Sequence, residues 1–184
     1  MRGLRRLFGT RARAEPPVDT NVQRATLTLD ELRISLGYDI AQMISSGCDP
    51  AIVADHVAFN ADLERFLENP TLGHYLRSTT PEVSYETSGV IVLSISDLAR
   101  EIRTLTPGWR LVTLGFFPFA RSESGNLICF ARATGQVVWA SHESFDDTFT
   151  TSPLPIVADD FRELVVALDA GSVAGRLSAF ERGQ

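Results

Sequence analysis

Apolar positions in the first third of the chain recur at helical spacing. Leu29, Leu32, Leu36, Ile40 and Met43 fall on one stripe, which predicts a single helix from Thr28 to Gly47. Thr28-Leu29-Asp30-Glu31 has the pattern of a capping box, and Gly47 suits the far end. Asp49-Pro50 opens a second helix, with aspartate as cap and proline in the first turn. Ile52, Val53, Val57 and Phe59 supply its apolar face; Asn60 is expected to interrupt it before Leu63, Phe66 and Leu67, and Asn69-Pro70 to stop it. The two helices are expected to form an antiparallel hairpin against the rest of the chain.

Beyond Pro81 the pattern changes to short β-rich runs and turns. Val90–Leu93 reads as a strand, and Ser96-Asp97 as the cap of a helix through Leu98, Ile102 and Leu105 that Pro107-Gly108 closes. Trp109–Leu114 reads as a strand, and Phe116-Phe117-Pro118-Phe119 as an aromatic continuation near an edge or bend. Strands are expected at Leu127–Ala131 and Val137–Ala140, joined by turns at Gly125-Asn126 and Gly135. Residues 142–155 read as a loop. A last helix, capped by Asp159 or Asp160, carries Phe161, Leu164, Val165 and Leu168 and ends at Gly171, with a short helix after it. Helices and strands in separate blocks give an α+β fold, with an antiparallel or mixed sheet flanked by helices. The expected organisation is a basic tail over 1–25, a helical extension over 26–70 and a sheet domain over 71–184.

The 184 residues, 44% of them hydrophobic, are enough to bury a core without disulfide or metal staples. All 17 basic residues are arginine, which reads as the codon usage of a GC-rich bacterial genome. Arg2, Arg5, Arg6, Arg11 and Arg13 stand among the first fourteen residues, where there is no acid; taking those five charges from the total of −6 leaves −11 on the remainder. An acidic body argues against nucleic-acid binding, which needs clustered cations, and suits a basic protein partner. The N-terminus imitates a signal peptide, but arginines break the apolar stretch of about 7–15 residues that one requires. It reads as a solvated tail, with an amphipathic contact through Leu4, Leu7 and Phe8 as the alternative. Cys48 and Cys129 form no disulfide framework, and no apolar run reaches the roughly 18 residues of a membrane span. A cytoplasmic protein without an integral membrane segment is expected.

Candidate chemistry is sparse. The histidines are His56, His74 and His142, and no Gly-x-Ser-x-Gly elbow accompanies them. His56 lies in an apolar helix and reads as a satisfied boundary histidine. His142-Glu143, with Asp146 and Asp147 close behind, follows a strand end. Structural hydrogen bonding, partner contact, and an acid–base or metal site are all open there, although consecutive residues of an extended chain point to opposite faces. Gly125 and Gly135 are turn glycines, since neither precedes a helix that could hold phosphate. Phe116, Phe117, Phe119 and Trp139 are core residues or interface anchors.

From Gly89 to Leu168 the chain resembles the SMI1/KNR4 (SUKH) superfamily. Leu114-Gly115-Phe116-Phe117-Pro118-Phe119-Ala120 is similar to that family's Pro/Phe-Gly strand, and Ser124-Gly125-Asn126 through Phe130 to its Gly-Asp/Asn turn into a strand. Thr134-Gly135-Gln136-Val137-Val138-Trp139 resembles its Gly-x-Val hairpin, Ser141-His142-Glu143 its Asp-His-Glu tripeptide, and Ile156 to Leu164 its closing helix. Asn126, Ser141 and Asp160 depart from the family's usual residues. The resemblance implies a non-enzymatic protein that binds another protein, with no cofactor or metal: in bacteria an immunity protein that neutralises a toxin, in fungi a regulatory scaffold. The expected contact residues are Trp139, His142, Glu143, Asp146 and Asp147, with Gly125, Asn126 and Gly135 shaping the turns. A scaffold role for the helices at 28–67, and a hydrolase centred on His142 and Glu143, are the rival expectations.

Overall fold

A computed structural model describes residues 22–87, 89–142 and 154–169, together with Val173, Leu177 and Phe180. The chain enters with four helices: α1 (Leu29–Leu36), α2 (Ile40–Ser45), α3 (Pro50–Leu67) and α4 (Pro70–Ser78). A hairpin, β1 (Tyr85–Thr87) and β2 (Val90–Val92), leads to α5 (Ile95–Thr104) and α6 (Gly108–Thr113). Then come β3 (Phe116–Ser122), β4 (Leu127–Ala131), β5 (Val137–Ala140), β6 (Ile156–Ala158) and α7 (Phe161–Asp169). The six strands lie side by side in chain order, every neighbouring pair antiparallel. This is the expected α+β architecture, with the antiparallel option realised.

Both faces of the sheet centre are buried, so β4 (Leu-Ile-Cys-Phe-Ala) is apolar at every position instead of alternating. Phe117, Phe119, Ile128, Phe130, Val137 and Trp139 face the main core, shared with helix residues Leu36, Phe59, Phe66, Leu76 and Phe161. Leu127, Cys129, Ala131, Val138 and Ala140 face the other way and pack with Leu111, Phe116 and Leu154. The helices over 29–67 therefore have no core of their own. Their buried residues join the sheet's.

Several expectations of local structure are corrected. The predicted helix from Thr28 to Gly47 is two helices. Thr28 does form the capping box with Glu31, but α1 ends at Gly37 and Asp39 caps α2. The break is held from both sides. Asn60, in the middle of α3, accepts from the Tyr38 backbone N–H at 2.9 Å and donates to the Tyr38 carbonyl at 2.9 Å. From α5, Arg103 donates to the Gly37 carbonyl at 3.1 Å, and the Tyr38 hydroxyl donates to the Arg103 carbonyl at 2.7 Å. A Cβ on Gly37 would lie 2.7 Å from the Arg33 carbonyl oxygen and 3.1 Å from Asn60 Oδ1, so no side chain fits there. Asn60 accordingly does not interrupt α3, which runs unbroken from Pro50 to Leu67; its amide stands in for the backbone partners that the α1–α2 break leaves open.

Asn69-Pro70 ends α3, as expected, but also opens α4: Asn69 Oδ1 accepts from the backbone N–H groups of Thr71 and Leu72, both at 3.0 Å. Ser94, not Ser96, caps α5. Trp109–Leu114, expected as a strand, is helical: Trp109 to Thr113 belong to α6 and Leu114 is its C-cap. Strand preference is worth at most ~1 kcal/mol per residue, whereas burying a Leu or Val side chain is worth roughly 1.5–3 kcal/mol. In a helix Leu111 reaches the second cluster and Val112 the main one, and packing wins. The aromatic run Phe116–Phe119 lies in β3, interior to the sheet and not at an edge; the expected bend is there, where the register shifts between Pro118 and Ala120. Ile156–Ala158, expected to lead into the last helix, forms β6 on β5. Among the described residues, no helix is long and apolar enough to cross a membrane.

The Tyr38 clasp gives a direct test. Replacing Asn60 with Ala leaves two half-buried backbone groups unpaired, and stability should fall by about 1–3 kcal/mol in urea unfolding. A loss below about 0.5 kcal/mol would mean that water replaces the amide without cost.

Candidate functional site

The predicted strand-end site divides into a structural half and a part that lies outside the described residues. Gly125 has φ +90°, a left-handed conformation that favours glycine, and its N–H donates to the Ser122 carbonyl at 3.0 Å. The turn delivers Asn126 into a buried position. There its Nδ2 donates to Ser124 Oγ at 3.0 Å, while Oδ1 accepts from the His142 backbone N–H at 3.1 Å. His142 Nδ1 is 3.0 Å from the same oxygen. An amide oxygen only accepts, so Nδ1 is the donor in this contact. Asn126 and Gly125 are thus a clasp that sets the His142 ring, joining the β3–β4 turn to the end of β5. Gly135, with φ +75°, makes the β4–β5 turn, as expected.

Trp139 does not lie on the surface. It is 4% exposed, faces the main core, and stacks on Phe180 with ring centroids 6.2 Å apart. A ring so covered has no face to offer a partner, and its expected role as a contact residue is corrected to that of a core residue. Glu143, Asp146 and Asp147 lie outside the described residues. His56 is satisfied as anticipated: Nδ1 lies 2.6 Å from the Ile52 carbonyl, and the ring meets Tyr38 edge-on at 3.9 Å. Among the described residues, no three His, Cys, Asp or Glu side chains gather where they could share a metal ion.

A second surface was only half visible in the pattern. The stripe of α3 that buries Phe59, Leu63 and Phe66 continues two turns back to Ile52, yet Ile52 is 50% exposed. The first turns of α3, before Phe59, have no buried residue, nor does α2 beside them. Ile44 is 63% exposed, Val57 48%, and Ile34 on α1 80%. Charge sharpens the picture. From Ile34 to Leu63 the chain has no arginine, while Asp39, Asp49 and Asp55 stand there without ion-pair partners among the described residues. Asp39 and Asp49 accept helix N–H groups from Gln42 and Ala51, at 2.9 and 2.7 Å. The cations that flank the stretch are engaged. Arg33 pairs with Asp30 and Glu64, and Arg65 and Arg132 both pair with Asp62. The hydrogen bonds from Arg33 hold the Glu64 carboxyl below the usual carboxylate range.

One buried acid escaped the sequence reading. Glu101 on α5 is 5% exposed, and burial pushes its carboxyl above the usual range against the pull of Arg121 and Arg100. The nearby Cys129 thiol is also pushed well up, mainly by burial and then by the Glu101 charge, which makes it a poor nucleophile. Nothing in the periodicity of α5 distinguishes Glu101 from a surface acid; only the packing of α6 over it does, with Gly108 held close to the Glu101 backbone.

Because the folded pKa of Glu101 is raised, its contribution to stability is fully present below the ordinary carboxyl range and is lost as pH rises through the folded value. Replacement of Glu101 by Gln should therefore raise the melting temperature relative to wild type at pH 8 and much less at pH 4. A difference independent of pH would show that the carboxylate charge is not the cause.

No protein-family model matches the chain, and comparison with curated proteins and with solved structures returns no match.

Proposed function

We propose that this chain is a non-enzymatic protein-binding module of the SMI1/KNR4 type: a cytoplasmic immunity protein that neutralises a cognate toxin by direct binding. The observation that carries the binding reading is the uncovered surface of α2 and the first turns of α3. Ile44, Ile52 and Val57 are exposed there in a stretch with unpaired acids and no cation. Apolar side chains at the centre of an interface supply affinity, and a charged surround raises the association rate and selects the partner. An acidic surround suits a basic face on that partner. The immunity role rests on the resemblance of the segment from Gly89 to Leu168.

The His142 clasp supports the same reading. In a nucleophilic triad the imidazole Nδ1–H is held by a carboxylate, which stabilises the imidazolium formed in the reaction. Here Nδ1 is held by the neutral amide of Asn126, which orients the ring without supplying that charge. Oriented in this way, the ring can hydrogen-bond to a partner through Nε2. The same α2–α3 surface also suits a regulatory scaffold, so the two roles differ in the identity of the partner.

Co-expression with a toxin encoded in the adjoining gene is the test. The pair should co-purify, and the chain should restore growth. Burying an isoleucine is worth roughly 1.5–3 kcal/mol, so Ile44→Glu with Ile52→Glu should weaken the dissociation constant at least about 100-fold. The melting temperature should hardly move, because both side chains are exposed. Absence of both complex and rescue removes the immunity reading, and capture of a housekeeping protein through the same two residues would favour the scaffold. Unchanged affinity in the double variant removes α2–α3 as the binding surface.

A further inference from the structure

A cavity of about 660 Å³ opens between α4 and α7, away from the His142 turn. Tyr75 and Phe161 close its floor, their rings edge-to-face at 5.4 Å. Pro70, Val165 and Val166 supply apolar wall, and Val166 is 63% exposed. Besides Thr71 and Thr79, three nitrogen-bearing side chains line it from separate parts of the chain: Arg24 from the segment before α1, His74 from α4 and Arg162 from α7. Arg24 is positioned by a hydrogen bond from Nη1 to the Thr79 carbonyl at 2.8 Å.

The charge at this place runs against the composition. Acids outnumber cations in the chain, 23 to 17, yet no carboxylate is among the described residues that line the cavity. Among the described residues, neither His74 nor Arg162 has an ion-pair partner. Asp160, two residues before Arg162, turns its carboxylate onto the Arg162 backbone N–H at 2.7 Å. A concave, low-dielectric wall concentrates the field of its cations, and guanidinium groups match the geometry of a carboxylate. The volume falls within the range of small-molecule sites, about 300–1,000 Å³.

We infer that the groove between α4 and α7 binds a small amphipathic anion, a carboxylate on an apolar body, with Arg162 and His74 taking the charged end and Pro70, Val165 and Val166 the apolar one. The site is independent of the α2–α3 surface. No residue of the groove belongs to that surface.

The full chain, isotopically labelled, is titrated with 4-phenylbutyrate and separately with 4-phenylbutan-1-ol, which has the same apolar body without the charge. The expected result is saturable one-to-one binding of the carboxylate, with amide shifts at His74, Arg162 and Val166, and binding of the alcohol at least tenfold weaker. His74→Gln with Arg162→Glu should lower carboxylate affinity at least tenfold with little change in melting temperature. Val166→Glu, which places an acid in the wall, should do the same by another route. Equal binding of the two probes, shifts confined to α2 and α3, or indifference to both sets of substitutions would overturn the inference. So would shifts of these residues with a polyglutamate peptide but none with 4-phenylbutyrate, because the ligand would then be an acidic chain.

Discussion

The structure depends on one packing arrangement: the aromatic side chains on the helix-facing side of β3 and β4 interlock with those of α3, α4 and α7. Phe161 is at its centre, meeting Phe119 at 4.8 Å, Phe130 at 5.2 Å and Tyr75 at 5.4 Å, each edge-to-face. Phe66 closes on Phe117 at 5.5 Å. Edge-to-face contact lets each ring present its positive rim to a neighbour's negative face, beyond the large apolar area each one buries. One cluster thus ties together a strand pair, the long helix and the last helix. The rest of the molecule hangs from it.

Because the cluster engages only the second half of α3, the helix has two different fates along its length. From Phe59 onward it is part of the core, and Arg132 fastens it further, with its guanidinium 5.1 Å from the Phe66 ring centroid and an ion pair to Asp62. Before Phe59 its contact with the core thins to His56 on Tyr38, Ile52 and Val57 are exposed, and α2 is its neighbour. The Tyr38 clasp holds that arm in place by fixing the α1–α2 break to α3 and α5. An uncovered apolar arm would ordinarily be a liability for solubility. Asp39, Asp49 and Asp55 stand beside this arm without ion-pair partners among the described residues, and like charges on two copies repel.

The fold also builds two polar features that share no residue. At the β3–β4 turn, a buried amide orients a histidine. Between α4 and α7, nitrogen-bearing side chains line a groove above an aromatic floor in an otherwise acidic chain. Among the described residues, the side chain that holds His142 is Asn126, sixteen residues earlier in the chain.

The sequence by itself determined the elements whose signals are local: the capping box at Thr28, the aspartate cap at Asp49, the helix stop at Asn69-Pro70, the turn glycines Gly125 and Gly135, and the β4 and β5 strands that follow them. Caps and positive-φ turns need only a few adjacent residues, and so the chain states them outright. Tertiary structure decided the rest. Val112 and Leu111 are helical because two clusters lie on either side of them, Asn60 is a clasp because Tyr38 is brought to it, Trp139 is core because Phe180 covers it, and Ile52 is exposed because nothing described covers the start of α3. Periodicity states which face of an element is apolar. Whether that face is covered is a property of residues far away in the chain, and only packing can set it.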